Sequence, residues 1–303
     1  MKKKKVSIII PAFNEEESVP LLIAQFLELK AKASFDFEVI FVDDGSTDNT
    51  FQVASGLSKK NAFLKVFSHR TNFGITKVLE TGFKQSSGEI FVFFPADLQF
   101  LASDIPKLVS PIIEGDADLV TGRKEGRYEK KFVSQVYNTL SRLLFRVGVK
   151  DLNSIKAFRK EVVEGMALRK DWHRYLVVLA ANEGWRIGEV DVTLTPRRFG
   201  KSKFGFWRIP IGVLDMISVA FLLRYSRKPM LLFGTLGGAS LFSGVIAGIV
   251  AIFLRVFGTG FRPLLYLVIL LILVGLLLIV AGFIAEQVAQ LRAEFDLLKR
   301  SRH

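Results

Sequence analysis

Residues 6–50 read VSIIIPAFNEEESVPLLIAQFLELKAKASFDFEVIFVDDGSTDNT, and this stretch decides the fold. Its two ends, 6–11 (VSIIIP) and 38–43 (EVIFVD), are β-branched and aromatic runs with few polar interruptions. Strands buried on both faces of a parallel sheet read this way. Between them, over 18–33, Val19, Leu22, Ile23, Phe26 and Leu27 recur at helical spacing. The alternation continues outward. A third apolar run, 64–67, follows a helical stretch at 51–57, and a fourth, 89–94, follows another at 77–85. Strand and helix in turn to about residue 122 predict βαβ units with right-handed crossovers. The fold class is therefore α/β, on a mostly parallel, Rossmann-like sheet.

Ligands on such sheets bind beyond the carboxyl ends of the strands. The polar clusters fall there: Asn14-Glu15, Asp43-Asp44, and Asp97 with Gln99. In Asp43-Asp44-Gly45-Ser46-Thr47-Asp48, carboxylates turned by Gly45 can accept hydrogen bonds from a base and a ribose. The same turn can supply a helix N-cap through Asp48 or Ser46, and both readings hold together. Asp97 and Gln99 can place two oxygens on one divalent cation; Mg²⁺ favours few protein ligands plus phosphates. Beyond residue 122 the chain mixes a helical stretch at 133–146 with a β-like run at 186–194.

The rest of the sequence has a different character. Half of the 303 residues are hydrophobic and the mean hydropathy is +0.33, yet the excess is concentrated in 230–254 and 263–285, which contain no charge. Each exceeds the ~20 residues a helix needs to cross hydrocarbon, so two membrane spans are expected. Residues 204–225 include Asp215 near their centre, costly in hydrocarbon. An interfacial segment is expected there, with Phe204, Phe206 and Trp207 at headgroup depth. The run after Met1–Lys5 is too short for a removable leader and meets Asn14-Glu15-Glu16-Glu17 at once. Arg224, Arg227 and Lys228 before the first span, and Arg292, Lys299, Arg300 and Arg302 after the second, predict that both termini and the α/β domain lie in the cytoplasm. The small-xxx-small spacings Gly234/Gly238 and Gly244/Gly248 offer a packing face between protomers of a homo-oligomer. The net charge of +13 suits anionic headgroups and phosphates. No nucleic-acid module accompanies it. Zero cysteines exclude disulfides and thiolate metal sites.

Six motifs in fixed order resemble glycosyltransferase family two: 7–15 (SIIIPAFNE), 43–50 (DDGSTDNT), 72–82 (NFGITKVLETG), 96–99 (ADLQ), Gly122-Arg123 and 196–203 (PRRFGKSK). Within it they resemble the dolichol-phosphate mannose synthase and polyprenyl-phosphate glycosyltransferase branch. The resemblance covers about residues 6–205 and implies a GT-A catalytic domain. Four segments follow: the catalytic domain at 1–203, juxtamembrane helices at 204–228, two transmembrane helices at 229–288 and a basic tail at 289–303.

Carried to this chain, the resemblance implies that Pro11, Phe13, Glu15, Val42 and Asp44 hold the base and ribose. Ala96 would line the nucleotide-sugar, and Asp97 and Gln99 would hold Mg²⁺ or Mn²⁺ on its diphosphate. Arg197 and Lys203 would close over the donor phosphates, while Arg123, Lys130 and Ser134 would receive the acceptor phosphate. Asp151 is an orienting group. Three positions depart from the family pattern: Pro95 replaces the first metal carboxylate, Lys130 stands where an arginine is usual, and 151–158 (DLNSIKAF) is one residue short. The expected reaction is inverting transfer of a hexose, from a GDP-mannose or UDP-glucose type of donor, to polyprenyl or dolichyl phosphate at the cytoplasmic membrane face. Two rivals are a catalytically inert membrane scaffold, favoured by Pro95, and a processive polysaccharide synthase, whose Gln-x-x-Arg-Trp signature is missing here.

Overall fold

The computed structural model describes residues 4–125, 144–145, 147–164, 166, 172–196, 208–226, 228–258 and 260–300. The chain divides into two compact units, Met1–Pro210 and Ile211–His303.

In the first unit the order is β1 (Lys5–Ala12), α1 (Ser18–Lys32), β2 (Asp36–Asp43), α2 (Thr50–Ser58), β3 (Leu64–Ser68), α3 (Ile75–Gln85) and β4 (Ile90–Phe93). It continues with α4 (Ile105–Glu114), β5 (Leu119–Glu125), β6 (Lys156–Arg159), α5 (Leu176–Asn182) and β7 (Ile187–Thr193). Among the described residues, seven strands form one sheet in the order β3-β2-β1-β4-β6-β5-β7. β1 runs parallel to β2 and β4, β2 to β3, and β5 to β7. Only β6 runs antiparallel, wedged between β4 and β5, so it starts where its neighbours end.

The apolar runs read as strands are strands, with both faces buried: Ile8, Ile9, Ile10, Val39, Ile40 and Phe41 have no exposed surface. α1 covers one face through Val19, Leu22, Ile23, Phe26 and Leu29. Leu27, read with that stripe, is 47% exposed, and Leu29 takes the place on the core side. The helical stretch expected at 133–146 lies almost wholly outside the described residues.

The second unit holds α6 (Arg208–Tyr225) from its fourth residue on, α7 (Pro229–Val256) and α8 (Arg262–Arg300). α6 occupies the segment read as interfacial; Pro210 falls in its first turn, where a missing N–H costs little. Its exposed side carries Leu214 and Ile217. α7 and α8 are long and apolar enough to cross a membrane, and they pair as a hairpin. A Cβ on Gly237 would come within 2.8 Å of the Gly275 carbonyl, so only glycine lets these backbones touch. Gly244 is likewise closed in by Leu271 and Ile272 of α8, so this member of the expected protomer-facing pair packs inside the hairpin. Gly238 meets nothing within 4 Å. Glu286 Oε2 accepts the Met230 N–H at 3.1 Å, satisfying one of the donors that the first turn of α7 leaves unpaired.

Candidate functional site

The strand order reverses at β1. The chain steps from β1 to β2 to β3 on one side, then returns to lay β4 on the other. Crevices beyond the carboxyl ends of strands at such a switch point are where open α/β sheets bind ligands. The loops leaving β1, β2 and β4 carry the clusters picked out in the sequence.

The first two loops are stitched into one unit. Asn14 adopts a left-handed conformation, φ 57°, which asparagine tolerates better than most residues. Its Oδ1 accepts the Thr47 N–H at 2.8 Å and its own N–H donates to Ser46 Oγ at 2.9 Å. The Glu15 N–H donates to Thr50 Oγ1 at 2.8 Å, and the Asn49 N–H donates to Glu16 at 2.9 Å. Asp48 Oδ1, one residue outside the N-cap of α2, accepts from the Thr50 N–H at 3.0 Å. That cap is Asn49 and makes no side-chain cap hydrogen bond, and Ser46 serves the neighbouring loop. Gly45 sits at φ +70°, and a Cβ there would come within 2.6 Å of the Thr71 backbone.

Asp43 and Asp44 are both buried. Asp43 turns back on its own loop, accepting from the Ser46 hydroxyl and from Ser68 Oγ at 3.0 Å. Asp44 reaches the next loop: its carboxylate accepts from the Phe73 N–H at 3.0 Å and the Gly74 N–H at 2.8 Å. His69 bridges Asp44 (2.8 Å) and Thr81 Oγ1 (2.9 Å), which makes it a structural strut. Asp44 thus fixes the entry to α3. Pro11 and Phe13 are half-buried, whereas Val42, paired with Pro11 across the sheet, is wholly buried.

Beyond β4 the chain alternates with a period of two. Phe94, Ala96, Leu98 and Phe100 are buried, and Pro95, Asp97 and Gln99 are partly exposed. Leu98 holds φ 58°, a strained setting for a bulky residue. Strain of this kind persists only where surrounding contacts over-determine it. Here Thr195 does so, its Oγ1 donating to the Leu98 carbonyl at 2.8 Å and its N–H to the Gln99 carbonyl at 2.8 Å. The result puts Asp97 and Gln99 on one side, with the Gln99 N–H donating to Asp97 Oδ1 at 3.2 Å. Two hard oxygens suit Mg²⁺ or Mn²⁺ but are too few to hold it alone, and among the described residues no group of three or more His, Asp or Glu side chains could do so. A diphosphate would complete the set.

A third region lies at the ends of β5 and β7 and the start of β6. Arg123 lays its guanidinium fork on Asp191 of β7, at 2.5 and 2.6 Å. This hydrogen-bonded pairing pushes the Arg123 guanidinium up and the Asp191 carboxyl down. Lys124 donates to the Asn153 carbonyl and lies 3.4 Å from Asp151, whose carboxylate is buried and also accepts from the Asn153 N–H at 3.0 Å. Asp151 thus lies against Lys124, a residue the sequence reading passed over. Lys156 was also missed. It opens β6 fully buried, donating to the carbonyls of Ser154 at 3.0 Å and Leu152 at 3.4 Å, with its ammonium 5.5 Å from the centre of the Phe93 ring. Burial pushes that ammonium down to about 8, partly offset by Asp151. It pins the shortened 151–155 loop to the sheet. His173 packs against the same Phe93 ring, and burial holds its imidazole well below the ordinary value. Lys130, Ser134, Arg197 and Lys203 lie outside the described residues.

Residues 7–174 match the model of Glycosyl transferase family 2. A dodecaprenyl-phosphate galacturonate synthase of Rhizobium johnstonii is 31% identical over 94% of this chain and 88% of its own length. An undecaprenyl-phosphate 4-deoxy-4-formamido-L-arabinose transferase of Yersinia enterocolitica is 30% identical over 85% of this chain and 79% of its own. Among solved structures, glucosyl-3-phosphoglycerate synthase of Mycobacterium tuberculosis, in complex with Mn²⁺ and UDP, superposes with a TM-score of 0.58. It does so over 73% of this chain and 80% of that one, at 19% identity.

Proposed function

The chain belongs to glycosyltransferase family 2, and from that premise we propose that it moves a sugar from a nucleotide-sugar to a polyprenyl phosphate at the cytoplasmic face of a membrane. The observation that carries this reading is that Asp97 and Gln99, partly exposed, follow the carboxyl end of β4 beside β1, whose exit loop is hydrogen-bonded through Asn14 to the loop after β2. The polyprenyl phosphates in the names of the two relatives support the acceptor. Two C-terminal helices long enough to cross a membrane support a lipid substrate.

Pro11, Phe13, Glu15 and Asp44 bind the base and ribose, with Val42 and Ala96 as floor. Asp97 and Gln99 are the residues that would hold Mg²⁺ or Mn²⁺, which when bound supplies positive charge to the donor diphosphate. Arg197 and Lys203 add charge to the same group. The acceptor phosphate is received by Arg123 with Lys130 and Ser134; Lys124, next to Arg123 in the chain and 3.4 Å from Asp151, adds a further cation. One phosphate oxygen of the acceptor forms a bond to the anomeric carbon while the bond from that carbon to the donor diphosphate breaks. The electron pair leaves on the nucleoside diphosphate and the anomeric configuration inverts. An acceptor phosphate is already anionic, so no strong base is needed to expose the nucleophile. The cationic residues stabilise charge that grows on the leaving group.

The sugars in the relatives' names, a galacturonate and a formamido-arabinose, widen the donor beyond mannose and glucose. A thermal-shift panel of GDP-mannose, UDP-glucose, a uronic-acid nucleotide and a formamido-pentose nucleotide, each with and without Mn²⁺, tests the reading. The matching donor raises the apparent stability in proportion to its affinity, and more with Mn²⁺ present. If no nucleotide-sugar shifts the transition, donor binding is refuted.

A further inference from the structure

We infer that the end of α8 beyond its apolar span is a self-association helix, forming a seam with α8 of a second copy of this chain. α8 runs without interruption from Arg262 to Arg300. Its uncharged stretch, 263–285, is about 34 Å long at ~1.5 Å per residue, enough for a hydrocarbon core of ~30 Å. Charge begins at Glu286. The hairpin partner ends at the same level, since Glu286 accepts from the Met230 N–H one residue inside the start of α7. Residues 286–300 therefore extend past both the span and the helix that packs against it.

This extension is not polar all round. Ile284, Val288, Leu291 and Phe295 follow one another at steps of four, three and four, and they are 60–67% exposed. That spacing is the a/d line of a heptad, with Val288 and Phe295 at a and Ile284 and Leu291 at d. The residues that meet α7, among them Gly275, Ile279, Gly282 and Glu286, lie on another face. Between the apolar positions stand Gln287, Gln290, Arg292 and Glu294.

The occupant that fits is a second copy. Two copies inserted in one membrane share one orientation, and the common span sets their depth, so their α8 helices meet parallel and in register. In that arrangement each g position faces the following e position of the partner helix. Here Glu294 stands at g and Lys299, five residues on, at e, an attractive pair in both directions. A lipid surface fits less well. To lie on it the helix would have to bend, and from 283 to 300 there is neither proline nor glycine. Its polar positions also mix Glu286 and Glu294 with Arg292, where interfacial helices carry mainly Lys and Arg.

The chain has no cysteine, so single cysteines give a clean readout in the full-length protein in its membranes. Under a mild oxidant, Leu291→Cys should cross-link to a covalent dimer at least several-fold more than Gln290→Cys. Adding Glu294→Lys to Leu291→Cys should lower the yield, and adding Lys299→Glu to both should restore it. Equal or absent cross-linking at 290 and 291 overturns the inference. So does a Leu291→Cys that stays monomeric yet resists a water-soluble maleimide, the signature of a lipid-covered face. The inference takes from the proposed function only that α7 and α8 span the membrane. Resistance of the protein to alkaline carbonate extraction, in the same samples, tests that separately.

Discussion

Asp43 and Asp44 are neighbours in one turn and are equally hidden from solvent, yet their carboxylates face different loops. Composition alone cannot divide such a pair, because the division depends on which backbone N–H groups later segments bring in. Asp97 is the opposite case. Its place after an apolar strand, two residues from Gln99, was readable, and the alternating burial around it agrees. Asp97→Ala should cut transfer by at least about a hundredfold, the scale of losing one group that stabilises developing charge. The half-exposed position should leave unfolding stability within about 0.5 kcal/mol of wild type. Retained turnover with Mn²⁺ present would remove Asp97 from the metal. Pro95 leaves the cation too few protein oxygens, so Mn²⁺ should bind appreciably only together with a nucleoside diphosphate. Calorimetry on wild type and Pro95→Asp should show tighter Mn²⁺ binding by the variant without nucleotide. Tight binding to the unliganded wild type would mean that another residue fills the vacancy. Lys156 had no legible signal: a lysine before an apolar pair reads as surface, and only an antiparallel strand wedged between parallel ones buries it.

The elements themselves were largely legible as far as β5, because strands buried on both faces leave continuous apolar runs and the helices between them leave a 3.6-residue period. β6 was not. Its four residues are too short for a period. One device that stabilises the sheet's other end was equally silent. Glu38 on β2 accepts from Ser7 Oγ at 2.6 Å, Lys65 Nζ at 2.8 Å and the Ser87 N–H at 2.6 Å, tying β1, β3 and the turn before β4 to one carboxylate. Burial alone would raise this carboxyl, but the hydrogen bonds from Lys65, Ser7 and Ser87 outweigh it and hold it at about 2, against an ordinary 4.5. A depressed folded-state value gives stability that is fully present above 4.5 and is lost as pH falls toward 2. Glu38→Gln should therefore cost about 1–3 kcal/mol at pH 7, and its deficit should shrink steadily below pH 4.5 in acid unfolding curves. A pH-independent difference would assign the loss to packing alone. At the hairpin, Glu286→Leu should lower the thermal midpoint in detergent while Glu286→Gln, which keeps an acceptor for Met230, should not. Equal midpoints for the two would exclude the cap.

At the scale of the whole molecule, a family 2 catalytic unit and a pair of long apolar helices occur in one chain. The helices were readable from composition, since charge is absent from two stretches, and the catalytic unit from the resemblance that six ordered motifs carry. The sugar was not readable, because donor choice rests on the shape of the pocket and not on a residue pattern. The measurement that tests the account most directly uses washed membranes containing the full-length chain, a polyprenyl phosphate, Mn²⁺ and labelled nucleotide-sugars offered one at a time. One donor should label the polyprenyl phosphate with a single sugar, at inverted anomeric configuration, and Asp97→Ala membranes should leave it unlabelled. Label that enters a long polymer, or no transfer to lipid from any donor while the protein binds nucleotide normally, would contradict the account.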